Sequence, residues 1–96
     1  MKRLSDQDLN AALAGIEGWT LEQGKLHRQY TFPNFATAMG FFAIAAPGIE
    51  KKDHHPEWSN VYNKVTVDLS THDAGGVTQL DVDLAKTLES IARKLV

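Results

Sequence analysis

Apolar and polar positions recur along the chain with two different periods, and the switches between those periods divide it into helical and extended segments. Leu9, Leu13 and Ile16 recur at helical spacing. The segment carries its own start signals: Ser5 is placed as an N-cap, Asp8 as its capping-box partner, and Leu4 with Leu9 as a hydrophobic staple. Gly15 and Gly18 act as stop signals. Trp19-Thr20-Leu21 and Leu26 to Phe32 then alternate apolar and polar on either side of Glu22-Gln23-Gly24-Lys25, the pattern of a hairpin.

After Pro33, Asn34 is the expected N-cap of a second helix in which Phe35, Met39, Phe42 and Ala46 share a face. Ala38, Phe41 and Ala45 widen the apolar stripe, so cover on two sides is expected, by a sheet and by a partner subunit. Pro47 has no amide donor and clashes with the preceding turn, so this helix is predicted to end or kink near Ala45. Beyond Glu50-Lys51-Lys52-Asp53 and His54-His55-Pro56, Trp58–Tyr62 reads as a strand, Asn63-Lys64 as a turn, and Val65–Thr71 as a second strand with Val65, Val67 and Leu69 facing the core. Asp73-Ala74-Gly75-Gly76 is a loop, and Thr78 with Asp81 forms a capping box for a last helix with the face Leu80, Leu84, Leu88, Ile91 and Leu95. The order α-β-β-α-β-β-α predicts an α+β fold, a four-stranded antiparallel sheet with three helices packed on one face, as a single domain over residues 1–96.

Composition narrows the partners. A net charge of −2 on 96 residues offers no long-range attraction for phosphate backbones or anionic lipid, which argues against nucleic acid and membrane. No apolar run approaches the length of a membrane span, and no signal-peptide core follows the Met-Lys-Arg start. The absence of cysteine removes disulfides, thiolate metal sites and thiol nucleophiles together, and suits a cytoplasmic protein. What stands out is histidine: of four, three lie between positions 54 and 72.

His54 and His55 cannot lie inside a helix, because the residue before a proline is pushed to extended geometry. A turn at Asn63-Lys64 sets Pro56-Glu57 opposite Ser70-Thr71, so His54, His55 and His72 fall at one end of one hairpin. Converging imidazoles suit general acid–base catalysis, since their pKa lies near neutral pH and each can give or take a proton. The bland alternative for any one of them is a solvated histidine at a strand entrance. A zinc site with Asp81 or Glu57 as further ligand is disfavoured by the spacing, since side-by-side histidines rarely serve one metal. Asp81 has two readings, a helix-capping carboxylate or one that orients a histidine or a substrate nitrogen. His27 reads as solvated, Gly75-Gly76 as conformational freedom in a loop, and Trp19 and Trp58 as core or interface residues rather than stacking platforms. Ser70-Thr71-His72-Asp73 contains triad residue types, but adjacent strand residues point to opposite faces and assemble no triad.

Glu50-Lys51-Lys52-Asp53-His54-His55-Pro56-Glu57-Trp58, Val61-Tyr62-Asn63-Lys64-Val65, Leu69-Ser70-Thr71-His72-Asp73 and Gly76-Val77-Thr78-Gln79-Leu80-Asp81 with Leu84-Ala85 resemble the signature of the pterin-4a-carbinolamine dehydratases. Gly18-Trp19 and the Phe35-to-Phe42 helix match as well, so the resemblance spans nearly the whole chain. It implies a hydro-lyase that dehydrates 4a-hydroxytetrahydrobiopterin to quinonoid dihydropterin and water, recycling the pterin of aromatic amino-acid hydroxylases. It implies His54, His55 and His72 as the proton-transfer set with Asp81 beside them, and Asp53, Ser70 and Thr71 in the pterin pocket, to which we add Glu50 and Trp58 as candidates. The pterin is then the substrate, with no resident cofactor and no metal. A homo-dimer or homo-tetramer is implied too. The competing class is an interaction module of the same fold that serves as a transcription-factor dimerisation coactivator. Retention of the three histidines and the Pro47-Gly48 interruption of the second helix favour the enzyme.

Overall fold

The computed structural model describes residues 2–96. Helix α1 (Asp6–Ala14) leads into strands β1 (Thr20–Glu22) and β2 (Lys25–Thr31), followed by helix α2 (Phe35–Lys52), strands β3 (Glu57–Val61) and β4 (Lys64–Leu69), and helix α3 (Gln79–Arg93). The expected order of elements is present, with one antiparallel sheet in the order β1-β2-β4-β3. All three expected N-caps form: Ser5 accepts from the Asp8 amide, Asn34 from the Thr37 amide, and Thr78 with Asp81 closes a full capping box.

The core lies between the sheet and its helices. Leu26 on β2 pairs with Leu69 on β4, Tyr30 with Val65, and these side chains meet Phe41 and Ala45 of α2 and Leu84, Ala85 and Leu88 of α3 in one cluster. Tyr30, Phe32 and Phe41 pack ring against ring with centroids 5.3–5.9 Å apart. The opposite face of the sheet is polar. There Lys25 holds Glu57 at 2.9 Å, and His27 Nδ1 lies 2.8 Å from Asp68 Oδ1 with Glu22 3.6 Å from its other nitrogen. His27 is therefore half-buried among carboxylates rather than solvated, because the β2–β4 register places it directly across from Asp68.

The structure differs from sequence expectations on three further points. Helix α2 runs through Pro47 to Lys52 instead of stopping near Ala45. Pro47 and Ala43, the residue whose carbonyl loses its partner, both face solvent, while Ala45 and Ile49 on either side are buried. Burying an Ile side chain contributes roughly 1.5–3 kcal/mol, comparable with the ~3 kcal/mol cost of an interior proline. Second, the buried stripe of α2 is Ala38, Phe41, Ala45 and Ile49, which leaves Phe35 49% and Ile44 54% exposed. On α3 the buried stripe is likewise turned, onto Val82, Leu84, Ala85, Leu88 and Ala92, leaving Leu80 exposed. Third, the β3–β4 turn is Tyr62-Asn63, so Glu57 pairs with Asp68 rather than lying opposite Ser70. Tyr62 takes a positive φ of 55°, stabilised where Asn60 Nδ2 donates to the Tyr62 and Lys64 carbonyls. A slip of two residues preserves which face each side chain occupies, and Val65, Val67 and Leu69 are buried as expected.

Candidate active site

Two chain reversals bring the candidate residues to one end of the β3–β4 hairpin. Helix α2 ends at Asp53, in the left-handed conformation (φ 51°, ψ 40°), with its amide donating to the Glu50 carbonyl. Aspartate tolerates this region better than branched residues do. Pro56 then keeps His55 extended, so both histidines sit in the short connection that enters β3. Past β4, Thr71 and Gly76 pair in an isolated bridge around a short 3-10 turn, His72–Ala74, closed by Gly75 at φ 73°. Because Glu57 pairs with Asp68, the residues before β3 and those after β4 share one end of the hairpin.

Asp81, in the first turn of α3, is fully buried and connects these segments. Its Oδ2 accepts from the Thr78 amide and from the Thr71 hydroxyl, both at 2.8 Å. Its Oδ1 lies 2.6 Å from His54 Nε2. The two readings of Asp81 are thus both realised, one oxygen capping the helix and the other holding an imidazole. The His54 side chain is 14% exposed. Among the described residues its Nδ1 has no hydrogen-bond partner, and no buried side-chain nitrogen or oxygen is left without one, so Nδ1 reaches solvent. The site therefore combines an imidazole anchored through one nitrogen with a second nitrogen open to a ligand.

The other candidates are placed unevenly. His55 is 56% exposed, its Nδ1 3.9 Å from Asp53 Oδ1, a loose contact that leaves the ring free. His72 is exposed and lines a shallow recess of about 190 Å³ between the β1–β2 turn at Gln23-Gly24-Lys25 and Ser70-Thr71. Glu50 and Asp53 are exposed at the end of α2. Trp58 turns toward the helices, its ring edge-on to Phe42 at 4.6 Å, in keeping with a packing residue. Among the described residues, no three His, Cys, Asp or Glu side chains gather as metal ligands.

Sequence reasoning passed over a second, partly buried carboxylate. Glu89 on α3 accepts from Tyr30 Oη at 2.7 Å, Trp19 Nε1 at 3.0 Å and Arg28 Nε at 3.4 Å. The Arg28 guanidinium also covers the Tyr30 ring, 4.4 Å from its centroid. Burial alone raises the Glu89 carboxyl, but the bonds from Tyr30 and Trp19 and the Arg28 charge together outweigh it and hold it below the ordinary glutamate range. Burial, and then Glu89 itself, pushes the Tyr30 phenol far up, so it stays a donor. A wider recess of about 350 Å³ adjoins Glu89 at the C-terminal ends of α1 and α3, with no histidine in its lining. On a helical wheel Glu89 reads as an ordinary solvent-facing charge. Only the non-local approach of β2 reveals its role.

Residues 2–91 match the family profile described as Pterin 4 alpha carbinolamine dehydratase. A Solibacter usitatus protein with the provisional name pterin-4-alpha-carbinolamine dehydratase is 49% identical over 90 residues, covering 94% of this chain and 95% of its own. A Rhodopseudomonas palustris protein with the same provisional name is 50% identical over 97 residues, covering 99% and 96%. A crystal structure of a Brucella melitensis protein, described as a transcriptional coactivator/pterin dehydratase, superposes with TM-score 0.91 at 45% identity, covering 95% of this chain and 99% of that one. Carried by both the whole-chain match and the shared fold, the conclusion is that this chain belongs to the pterin-4-alpha-carbinolamine dehydratase family.

Proposed function

We propose that the protein dehydrates 4a-hydroxytetrahydropterin to quinonoid dihydropterin and water by histidine acid–base catalysis, recycling the pterin of an aromatic amino-acid hydroxylase. The observation that carries this reading is the His54–Asp81 pair, which leaves one imidazole nitrogen open at the hairpin end shared with His55 and His72. In the reaction the C4a–oxygen bond breaks and the hydroxyl leaves as water with a proton from an acid, while a ring nitrogen gives up its proton to a base. Both tasks suit imidazoles near neutral pH, and each positioned proton transfer contributes about 10²–10⁴-fold. His54, His55 and His72 form the proton-transfer set, with Asp81 orienting His54. Asp53, Ser70 and Glu50 supply polar groups around the pterin, whereas the Thr71 hydroxyl is engaged with Asp81 and Trp58 packs on α2.

The test is formation of quinonoid dihydropterin from freshly generated 4a-hydroxytetrahydropterin. The expected result is acceleration above the spontaneous rate, reduced at least about 100-fold in the combined His55→Ala and His72→Ala variant. No acceleration by the wild type, or full activity in that variant, overturns the reading.

A second, compatible reading concerns partners. Because α2 is continuous, the argument from Pro47-Gly48 against a docking role no longer holds, and Phe35 and Ile44 are exposed apolar residues on opposite flanks of its buried stripe. We infer that a second copy of the chain covers the Ile44 flank, giving a homo-oligomer. A transcription-factor helix, suggested by the description of the Brucella melitensis relative, would compete for the same surface. Sedimentation of the wild type against Ile44→Glu tests the oligomer, which is expected to dissociate in the variant.

A further inference from the structure

With Asp81 ionised, the hydrogen-bonding groups around it leave only one arrangement of their protons. The Thr71 and Thr78 hydroxyl oxygens lie 2.8 Å apart, and Thr71 Oγ1 lies 2.8 Å from Asp81 Oδ2. A carboxylate has no proton to give, so the single Thr71 hydroxyl hydrogen must lie on the Asp81 side. The contact between the two threonines then requires the Thr78 hydrogen, while Thr78 Oγ1 accepts from the Leu80 amide at 3.2 Å. The chain of donation runs one way, from Thr78 to Thr71 to Asp81. At its far end Asp81 Oδ1 can only accept, so His54 must carry a proton on Nε2. Thr78 and Asp81 are fully buried, which limits the access of water to their bonds.

We propose that Thr78 and Thr71 are positioning residues: their one-way chain fixes the orientation of Asp81, holds neutral His54 as its Nε2–H tautomer, and makes Nδ1 the atom that exchanges the substrate's proton. This rests on the acid–base reading above and goes further by naming the nitrogen and the residues that select it. It also moves Thr71 from pterin binding to positioning, since its one proton is already committed. Fixing the tautomer of a catalytic histidine is worth up to about 10⁴-fold in rate, and a partial loss of that control, as when one hydroxyl is removed, costs less.

The experiment combines imidazole nitrogen NMR of the whole protein with dehydratase kinetics on Thr71→Val, Thr71→Ser, Thr78→Val and Thr78→Ser. The expected spectrum of the wild type has neutral His54 protonated at Nε2. Thr71→Val is expected to give a tautomer mixture and a kcat about tenfold lower with KM within about twofold, and Thr71→Ser to restore both. Thr78→Val removes the N-cap as well as the donor, so the hydroxyl-bearing Thr78→Ser serves as its folding control. A wild-type Nδ1–H tautomer overturns the proposal, as does a Thr71→Val variant whose effect lies wholly in KM, which would place the hydroxyl against the pterin. The spectrum can be read without turnover. A wild type with the expected tautomer but no dehydratase activity overturns the reaction and leaves the proton chain standing.

Discussion

Helix α3 carries a buried carboxylate, Asp81 in its first turn, and a partly buried one, Glu89 two turns later, and they use the same device to different ends. Each gathers several donors from distant segments: Asp81 from Thr71, Thr78 and His54, Glu89 from Trp19, Tyr30 and Arg28. The phenol, indole and guanidinium around Glu89 are donors that keep their protons at neutral pH, so that cluster ties β2 to α3. Around Asp81 one donor is an imidazole with a second nitrogen reaching solvent. A cluster of buried hydrogen bonds becomes a chemical site when one of its members can still gain or lose a proton at an open edge.

Breaking the Asp81 cluster is expected to give the largest effect. Asp81→Ala leaves the Thr78 amide and the Thr71 hydroxyl without their acceptor and frees His54, so kcat is expected to fall at least about 100-fold and stability by about 2–4 kcal/mol. Stopped-flow kinetics alongside urea unfolding checks both numbers.

Glu89→Ala is the matching cut in the other cluster. It orphans the Trp19 and Tyr30 donors, and the expected loss is again about 2–4 kcal/mol, but with kcat per folded protein within about twofold of wild type. A large fall in kcat here, with the protein folded, would mean that the two carboxylates are not separate in function.

A smaller and sharper test uses pH. Glu89 is held below its ordinary range in the fold, so its folded form binds fewer protons than its unfolded form as pH drops through the ordinary glutamate range. Its contribution is therefore complete above that range and is lost as pH falls through the folded-state value. Wild type is expected to exceed Glu89→Gln by about 1–2 kcal/mol at pH 7, and the gap to narrow as pH falls below the ordinary glutamate range. A gap that stays constant over that fall in pH would remove the charge from the account of this cluster.

Local signals proved legible wherever the governing interaction spans a turn or less. The N-caps Ser5, Asn34 and Thr78 satisfy amides two or three residues ahead, and the alternation of Val65, Val67 and Leu69 follows from the pleat. The histidines at the hairpin end were legible too, despite the two-residue slip, because the slip moves residues along a face without changing it. The stripe of α2 was not. Apolar residues surround that helix, so its sequence does not say which side meets the sheet.

The chain's own pattern of residues was enough for the order of elements, the core of β4, the capping of α3 and a family signature around His54, His55 and His72. These rest on neighbours in sequence, where spacing alone sets geometry. Packing decided the rest: that α2 passes through Pro47 because Ile49 is buried beyond it, that His27 faces Asp68, and that Glu89 is a partly buried tie. It also chose, among the histidines at the hairpin end, the one given a buried carboxylate. His54 and Asp81 stand 27 residues apart, and only the closing of the hairpin against the start of α3 brings an imidazole nitrogen within 2.6 Å of a carboxylate shielded from water.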